Sequence, residues 1–501
     1  MINNITPRKK RVLLNSSVNV ITQSVILLTA FILRKQFLLY IGQQALGYES
    51  LFINLINFIS IVDIGFTGTL SVIIYKIYND NSDKYYAVIK YFEKIFYKLI
   101  FIAFIIVLIV YFNLDIFISS QDSMTLEVRY TFLIIAFSSL SNYTTITKKV
   151  MFNVNEQMYI TSTIDFIAEI TMRLVQLVSI NIYPSFFIYA LIEFIFRIFK
   201  HITIIIASKK INKNTNYILD NNDKKQIFSS INILTISGIA KIGINNSDNI
   251  IISKFLGISE LAISNNYLLI IYSAKNLLEN LINGSLASFS NYYFELKNNI
   301  LEQKDILFKL LSLCFLMASF FSIMVYANIN DFILYWIGDK YLLDIRIVNV
   351  IIFNIILFFI FYPIDYLCQL NGHIKAKLKI DILQLIINIL VSIILVINYG
   401  LIGVFLGTTL SYVIAKLCLV FIFFKLEYNT IPFNYLFKVI LYLFIIYVQL
   451  IVFDYFISFI SVESLFMCLV INTLLGMLIY IITLVILFIM YKIYIVKMSK
   501  Y

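Results

Sequence analysis

Residues 379–398, KIDILQLIINILVSIILVIN, form an apolar run, and a second run, IGVFLGTTLSYVIAKLCLVFIFFK over residues 402–425, follows after a short turn. A helix needs about 20 mostly apolar residues to cross the hydrocarbon core of a bilayer. Runs of this kind recur along all 501 residues, and only 4 prolines and 14 glycines interrupt them. Each run can therefore satisfy its own backbone hydrogen bonds as a helix.

The runs predict an all-α polytopic membrane protein with about fourteen transmembrane helices. The hydrophobic fraction of 61% and the charged fraction of 13% exclude a soluble protein of this length, which could not cover its surface with polar groups. The predicted spans are 13–40, 47–75, 96–113, 126–148, 158–180, 185–207, 230–253, 261–290, 305–330, 344–369, 379–398, 402–425, 436–458 and 464–491.

The distribution of positive charge predicts the orientation. The formal net charge is +11, but the basic residues collect in every second loop, which is typical of cytoplasmic loops and not of a nucleic-acid-binding surface. The loops on the other side of the membrane contain only two basic residues, Lys254 and Lys340. We predict that both termini are cytoplasmic. No cleavable signal peptide is expected, because the first apolar run follows the basic residues 8–11 and continues for a full span.

Two pairs of similar turns indicate an internal repeat. Residues 39–47, LYIGQQALG, resemble residues 254–262, KFLGISELA, so that Gly42 falls on Gly257. A weaker match sets residues 180–181 against 397–398. Because the repeated unit contains six helices, both copies have the same orientation, and a pseudo-twofold axis runs along the membrane normal. We predict an N-lobe (1–210, helices 1–6), a C-lobe (211–428, helices 7–12) and two appended helices (429–501).

Several charged residues fall within the spans, where charge is costly and requires an explanation. For one group we favour pairing between helices over a ligand role. Asp165, Glu169 and Arg173 share a helix face and can neutralise one another, and Glu193 with Arg197 is a similar pair. Asp381 and Lys416 lie near the ends of their spans and can extend to the interface.

Spans 1, 2, 7 and 8 are equivalent in pairs under the repeat, and they carry both cations and acids. Converging charges from two copies predict a central cavity for an anionic ligand, since Arg binds phosphate bidentately and Lys supplies a point charge. The candidate diphosphate-binding cations are Arg34, Lys241 and Lys275, and the candidate carboxylates for proton or sodium coupling are Asp63, Asp248 and Glu279. Lys35 should point about 100° away from Arg34. The alternative is internal salt bridges, such as Lys275 with Glu279.

Short motifs along spans 1 to 11 carry a resemblance to a known family. They are GQQALGYESLF (42–52) with DIGF (63–66), DNIIISKFLG (248–257), WIGDKY (336–341) and NGHIK (371–375). With them, the chain resembles polysaccharide flippases of the Wzx type, in the superfamily of the multidrug exporters and the lipid II flippase. The chain departs from that pattern in placing several acids beside the cavity cations.

The resemblance implies a flippase, not an enzyme, that moves an undecaprenyl-diphosphate-linked oligosaccharide across the bacterial cytoplasmic membrane for surface polysaccharide biosynthesis, such as O-antigen or capsule. It further implies a cavity lined by spans 1, 2, 7 and 8, a lipid-tail groove near the last two spans, and contact with membrane lipids. Glycosyltransferases and a glycan polymerase are the expected pathway partners. No cofactor, metal or nucleic acid is expected.

Two alternatives remain open. A cation-coupled multidrug exporter would have the same fold but an acidic cavity, and the cations Arg34, Lys241 and Lys275 count against it. A membrane polysaccharide polymerase or glycosyltransferase usually carries a DxD motif or a sizeable external domain, and the sequence has neither. It also lacks a GxxxxGK[ST] motif, which disfavours direct use of ATP.

Overall fold

The computed structural model describes residues 7–498 except 61–66, 68–69, 71–72, 75–76, 78–81, 212–216, 218, 296–298, 461 and 463. Within these residues the protein is built of helices and their connections. By contacts, the chain divides into two compact units, Met1–Ala262 and Ile263–Tyr501.

The first unit contains eight of the helices that the structure describes from end to end. They are α1 (Pro7–Tyr40), α2 (Gln43–Ile59), α3 (Ser82–Phe112), α4 (Leu126–Leu140), α5 (Ile146–Val154), α6 (Met158–Ile182), α7 (Phe186–Ser208) and α8 (Asn221–Phe255). Its described core is aromatic: the Phe37 ring packs edge-on against Tyr189, and Phe52 packs against Phe132.

The helices of the second unit are longer and more apolar. They are α9 (Ile258–Glu295), whose first turn belongs to the first unit, α10 (Ile300–Ile337), α11 (Ile345–Leu370), α12 (Ile374–Tyr399), α13 (Leu401–Tyr428), α14 (Phe433–Ile457) and α15 (Leu465–Met498). Glycines allow α12 and α13 to pack closely, because a Cβ at Gly403 would meet the Leu395 carbonyl and one at Gly407 would meet Ser392. Polar contacts attach α14 and α15 to α10, with Ser319 donating to Gln449 and Asn472 donating to Asp331.

Among the described residues, seven helices are long and apolar enough to cross a membrane: α3 from residue 83, α10 to α14, and α15 to residue 489. Helices α6 and α7 do not qualify because each carries three charged residues close together, 165, 169 and 173 on α6 and 193, 197 and 200 on α7. The chain is a multi-pass membrane protein. The total of fourteen crossings and the cytoplasmic position of both termini remain predictions.

The two turns that indicated the repeat have the same conformation. Gly42 and Gly257 both have positive φ, +106° and +97°, a region that favours glycine. The amide of Gly42 donates to the Phe37 carbonyl, and the amide of Gly257 donates in the same way to Ile252. This agreement supports the repeat. The first compact unit extends past the predicted lobe boundary at residue 210, however, because α8 packs against α2.

Candidate substrate-binding and coupling residues

Arg34 lies on α1 and faces an acid that the sequence analysis did not select. Its Nη1 atom is 3.7 Å from Oε2 of Glu49 on α2, and both side chains are mostly buried. Tyr189 of α7 lies within electrostatic range of both groups. Lys35 is exposed whereas Arg34 is only partly exposed, as the helical rotation between neighbours predicts. Glu49 was missed because it stands near the start of its span, where a carboxylate did not require an explanation.

Lys275 and Glu279 both lie on α9, one helical turn apart. The ammonium of Lys275 is 3.9 Å from Oε2 of Glu279 and 3.7 Å from the centroid of the Phe358 ring on α11. An ammonium ion over an aromatic face is stabilised by the ring quadrupole. Two of the predicted site residues therefore lie next to each other. Their arrangement is the internal salt bridge that the sequence analysis left open as the alternative to a ligand site.

The other three predicted site residues are described less completely. Asp63 lies outside the described residues. Lys241 belongs to α8, but the description does not extend to its side chain. Asp248, also on α8, is half-buried and is flanked by the buried residues Ser247 and Asn249.

Amide side chains join α2 to α8 in the first unit. Asn249 donates to Asn54 and Asn57 donates to Asn246, both at 3.1 Å, so the two helices run antiparallel. A Cβ at Gly47 would collide with the Ile258 carbonyl, so the start of α2 lies directly against the turn between α8 and α9. Sequence reasoning missed these amides because it considered only charged residues within the spans.

The first charge cluster consists of Lys149, Asp165, Glu169 and Lys200. Lys149 donates to Asp165 at 2.9 Å, while the ammonium of Lys200 is 3.8 Å from Asp165 and 3.5 Å from Glu169. Arg173 does not neutralise these acids: it donates to Thr29 and to the Ile26 carbonyl of α1. The expected pairing between helices is thus observed, but the cation that pairs with the acids of α6 is Lys200 of α7 and not Arg173.

The second charge cluster consists of Asp365, Lys377, Asp381 and Lys416. Lys416 lies 2.7 Å from Asp365, Lys377 lies 2.7 Å from Asp381, and Lys377 also lies 3.2 Å from Asp365. Asp381 and Lys416 are buried, so the expectation that they extend to the interface is wrong. Two cations and two carboxylates compensate one another here, which makes burial tolerable.

An apolar cleft of about 430 Å³ lies between α14 and α15. Its wall is formed almost entirely by aliphatic and aromatic side chains, including Phe444, Val448, Val452, Leu478, Ile482 and Ile486. The cleft lies on the two helices for which the family resemblance implied a lipid-tail groove. Its lining suits a hydrocarbon chain and offers little to a charged ligand.

Comparison with known proteins establishes the fold. No protein-family model and no curated protein match the sequence. The lipid II flippase MurJ in an inward closed conformation superposes with a TM-score of 0.63 at 18% identity, over 94% of this chain and 98% of the flippase. An inward-facing multidrug resistance MATE family transporter of the MOP superfamily gives a TM-score of 0.57 at 13% identity, over 80% and 96% of the two chains. A mutant MATE transporter from Vibrio cholerae gives 0.57 at 11% identity, over 84% and 98%.

The chain therefore has the same fold as a lipid II flippase and as MATE multidrug transporters, one of which is described as a member of the MOP superfamily. At sequence identities of 11–18%, the similarity to these structures shows the fold alone. The more specific resemblance to Wzx-type polysaccharide flippases stays a prediction.

Proposed function

We propose that this protein is a flippase that moves undecaprenyl-diphosphate-linked oligosaccharides across the bacterial cytoplasmic membrane by alternating access. The motifs of spans 1 to 11 support this cargo. So does the fold shared with a lipid II flippase, since that likeness spans 94% of the chain. Glycosyltransferases would supply the substrate, and a glycan polymerase would consume the product to build a surface polysaccharide.

The observation that carries the proposal is the spacing of the candidate cations from their acids. Arg34 and Lys275 lie 3.7 Å and 3.9 Å from Glu49 and Glu279. A charge-assisted hydrogen bond between such groups is normally 2.7–2.9 Å long. The carboxylates therefore do not hold these cations in close hydrogen bonds, and a diphosphate with several anionic oxygens can compete for them.

Replacement of the carboxylate also offers a route to ion coupling. When a phosphate takes Lys275, Glu279 loses its counter-ion, and a carboxylate without a counter-ion in a poorly hydrated place takes up a proton or a cation. We assign the same class of role to Asp63 and Asp248. Lys241 is the third proposed contact to the diphosphate.

The lipid tail has its own place in the proposal. A polyprenyl chain is entirely apolar, as is nearly all of the wall of the cleft between α14 and α15. We propose that the tail lies in this cleft, or beside it in the bilayer, while the lobes predicted as residues 1–210 and 211–428 rock around the headgroup. Residues 429–501 would then serve the tail and not the headgroup.

The proposal is tested in a strain deleted for the gene. The deletion should abolish the surface glycan and cause the lipid-linked intermediate to accumulate. Plasmid-borne protein should restore the glycan, whereas Arg34→Ala and Lys275→Ala should not. Lys309→Ala is the matched control, because Lys309 makes a solvent-exposed ion pair with Asp305 on α10. A normal glycan in the deletion strain contradicts the flippase role, and drug sensitivity as the only phenotype would favour the multidrug exporter.

A further inference from the structure

Helix α9, which the sequence predicts to cross the membrane over residues 261–290, carries an exposed polar arc. Tyr272, Asn276, Asn280 and Asn283 are all exposed, and at about 100° per residue they fall within about 80° of one another around the helix. The adjoining exposed arc is apolar and contains Leu277 and Leu281. We call Tyr272, Asn276, Asn280 and Asn283 the polar arc, and Leu277 and Leu281 the apolar arc.

The polar arc lies near the middle of a helix of 38 residues, which is about 57 Å long at 1.5 Å per residue. That exceeds the hydrocarbon thickness of about 30 Å, so the ends of α9 can leave the bilayer while residues 276–283 remain within it. Amide side chains facing lipid would lose their hydrogen bonds to water. The polar arc therefore faces water, and the apolar arc faces lipid.

The chemistry of the arc indicates a neutral ligand. None of the four side chains of the arc is charged, and the nearest charged residues, Lys275 and Glu279, are of opposite sign. Each asparagine amide offers both donors and an acceptor, which matches adjacent hydroxyl groups. The amide of Asn283 is oriented by Tyr362, which donates to its Oδ1 atom at 2.6 Å. The exposed ring of Tyr272 adds an apolar face with a polar tip.

We propose that the polar arc of Tyr272, Asn276, Asn280 and Asn283 is a sugar-binding subsite that contacts the glycan of the transported lipid. The inference rests on the proposed function, because it names the part of the cargo that α9 holds. It differs from the diphosphate contacts in kind: the arc binds hydroxyl groups through uncharged amides, and Lys275 beside it marks where sugar gives way to diphosphate.

The exposure of the arc is tested first, without any substrate. Single cysteines replace Asn276, Asn280, Leu277 and Leu281 in the full-length protein in membrane vesicles, and a membrane-impermeant maleimide is added from each side in turn. Wild-type protein gives the background from the native cysteines. We expect labelling of Asn276→Cys and Asn280→Cys well above that of the two leucine positions. Equal labelling of all four, or none at the asparagine positions, overturns the inference.

Binding then separates the subsite from the proposed function. The probes are the lipid-linked oligosaccharide extracted from the deletion strain and undecaprenyl diphosphate without sugar, presented to purified protein in nanodiscs. The variant N276A/N280A should bind the oligosaccharide lipid about tenfold more weakly while its affinity for undecaprenyl diphosphate changes less than about twofold. The matched control L277A/L281A should bind both like the wild type.

Each outcome has one meaning. If N276A/N280A binds the oligosaccharide lipid as tightly as the wild type, or loses affinity for both probes equally, the sugar subsite is wrong and the flippase proposal stands. If the wild-type protein binds neither probe, the flippase proposal fails and the subsite fails with it.

Discussion

The two compact units contain the same ion pair in different surroundings. Asp165 and Lys200 in the first unit are matched by Asp381 and Lys416 in the second, and each residue stands 216 positions before its counterpart. The distances between charged atoms are 3.8 Å and 4.0 Å. This offset of 216 residues lies between the offsets of the two pairs of similar turns. The ion pair is therefore a third feature that indicates the repeat.

The neighbours of the pair are what differ. In the first unit, the further partner of Asp165 is Lys149, and these two side chains are 31% and 37% exposed. In the second unit, Asp365 binds Lys416, whose side chain is only 6% exposed. The lysine of the pair is buried in both units, with 8% and 6% of the Lys200 and Lys416 side chains exposed, so the units differ in the acids and further partners around it, which are more exposed in the first unit.

The largest effect is expected for Lys416→Ala, because it leaves two carboxylates of the second cluster with one cation. Breaking a buried pair on one side typically costs about 3–5 kcal/mol. Thermal unfolding of purified protein in nanodiscs should show a clear fall in Tm, and the double variant D365A/K416A should recover part of it. A Tm equal to that of the wild type would show that the second cluster is not sealed from water.

A smaller effect is expected for Lys200→Ala in the first unit. Asp165 retains Lys149 at 2.9 Å and is partly exposed, while Glu169 loses its contact with Lys200, so we expect a loss of about 1–2 kcal/mol in the same unfolding experiment. The ratio of the two losses measures the difference between the units. Equal losses of stability in Lys416→Ala and Lys200→Ala would show that the more exposed first cluster and the more buried second cluster do not differ.

How far the sequence determines these features depends on their physical origin. Apolar runs predicted nearly every described helix, because membrane length and hydropathy are local properties. The turns at Gly42 and Gly257 were found from local similarity, and they have matching conformations. Partners on other helices were harder: Lys200 for Asp165 and Glu49 for Arg34 are chosen by helix packing, which no spacing in the sequence encodes. Lys377 and Asp381, by contrast, are four residues apart on α12, a spacing that does predict an ion pair. We expected Lys416 to extend to the membrane interface because it lies near the end of its span. Its ammonium group is instead buried, because it pairs with Asp365 on α11.

A third prediction exchanges a residue between the two copies. Gly47 aligns with Ala262, and Ala262 is fully buried without difficulty. In the first copy, a Cβ at residue 47 would meet the Ile258 carbonyl, so Gly47→Ala must push α2 away and should cost about 1–3 kcal/mol.

The matched control for that exchange is Gly284→Ala on α9, where a Cβ meets nothing within 4 Å and a neutral or slightly stabilising change is expected. Thermal unfolding of both variants is the measurement. If Gly47→Ala is as harmless as Gly284→Ala, the close contact of α2 with the turn before α9 is not required.

The smallest effect concerns two helix starts: Arg129 in the first turn of α4 pairs with Asp115, and Arg346 in the first turn of α11, 217 residues later, pairs with Asp344. Hydrogen bonds from Arg346 lower the pKa of Asp344 to about 2. A depressed carboxyl pKa stabilises the folded state above the unfolded pKa of about 3.9, and this stabilisation disappears as the pH falls towards 2. Arg346→Ala should therefore lower the Tm slightly at pH 7, and this difference from the wild type should vanish near pH 2. A difference that does not change with pH would assign the effect to something other than Asp344.

Transport itself is measured most directly in proteoliposomes. Lipid-linked oligosaccharide from the deletion strain is incorporated with purified protein, and its arrival in the opposite leaflet is followed by access to an added glycosidase. Our account predicts movement by the wild-type protein and by Lys309→Ala, and at least about tenfold slower movement by R34A/K275A. Movement no faster than in protein-free vesicles, or an R34A/K275A variant as active as the wild type, would contradict it.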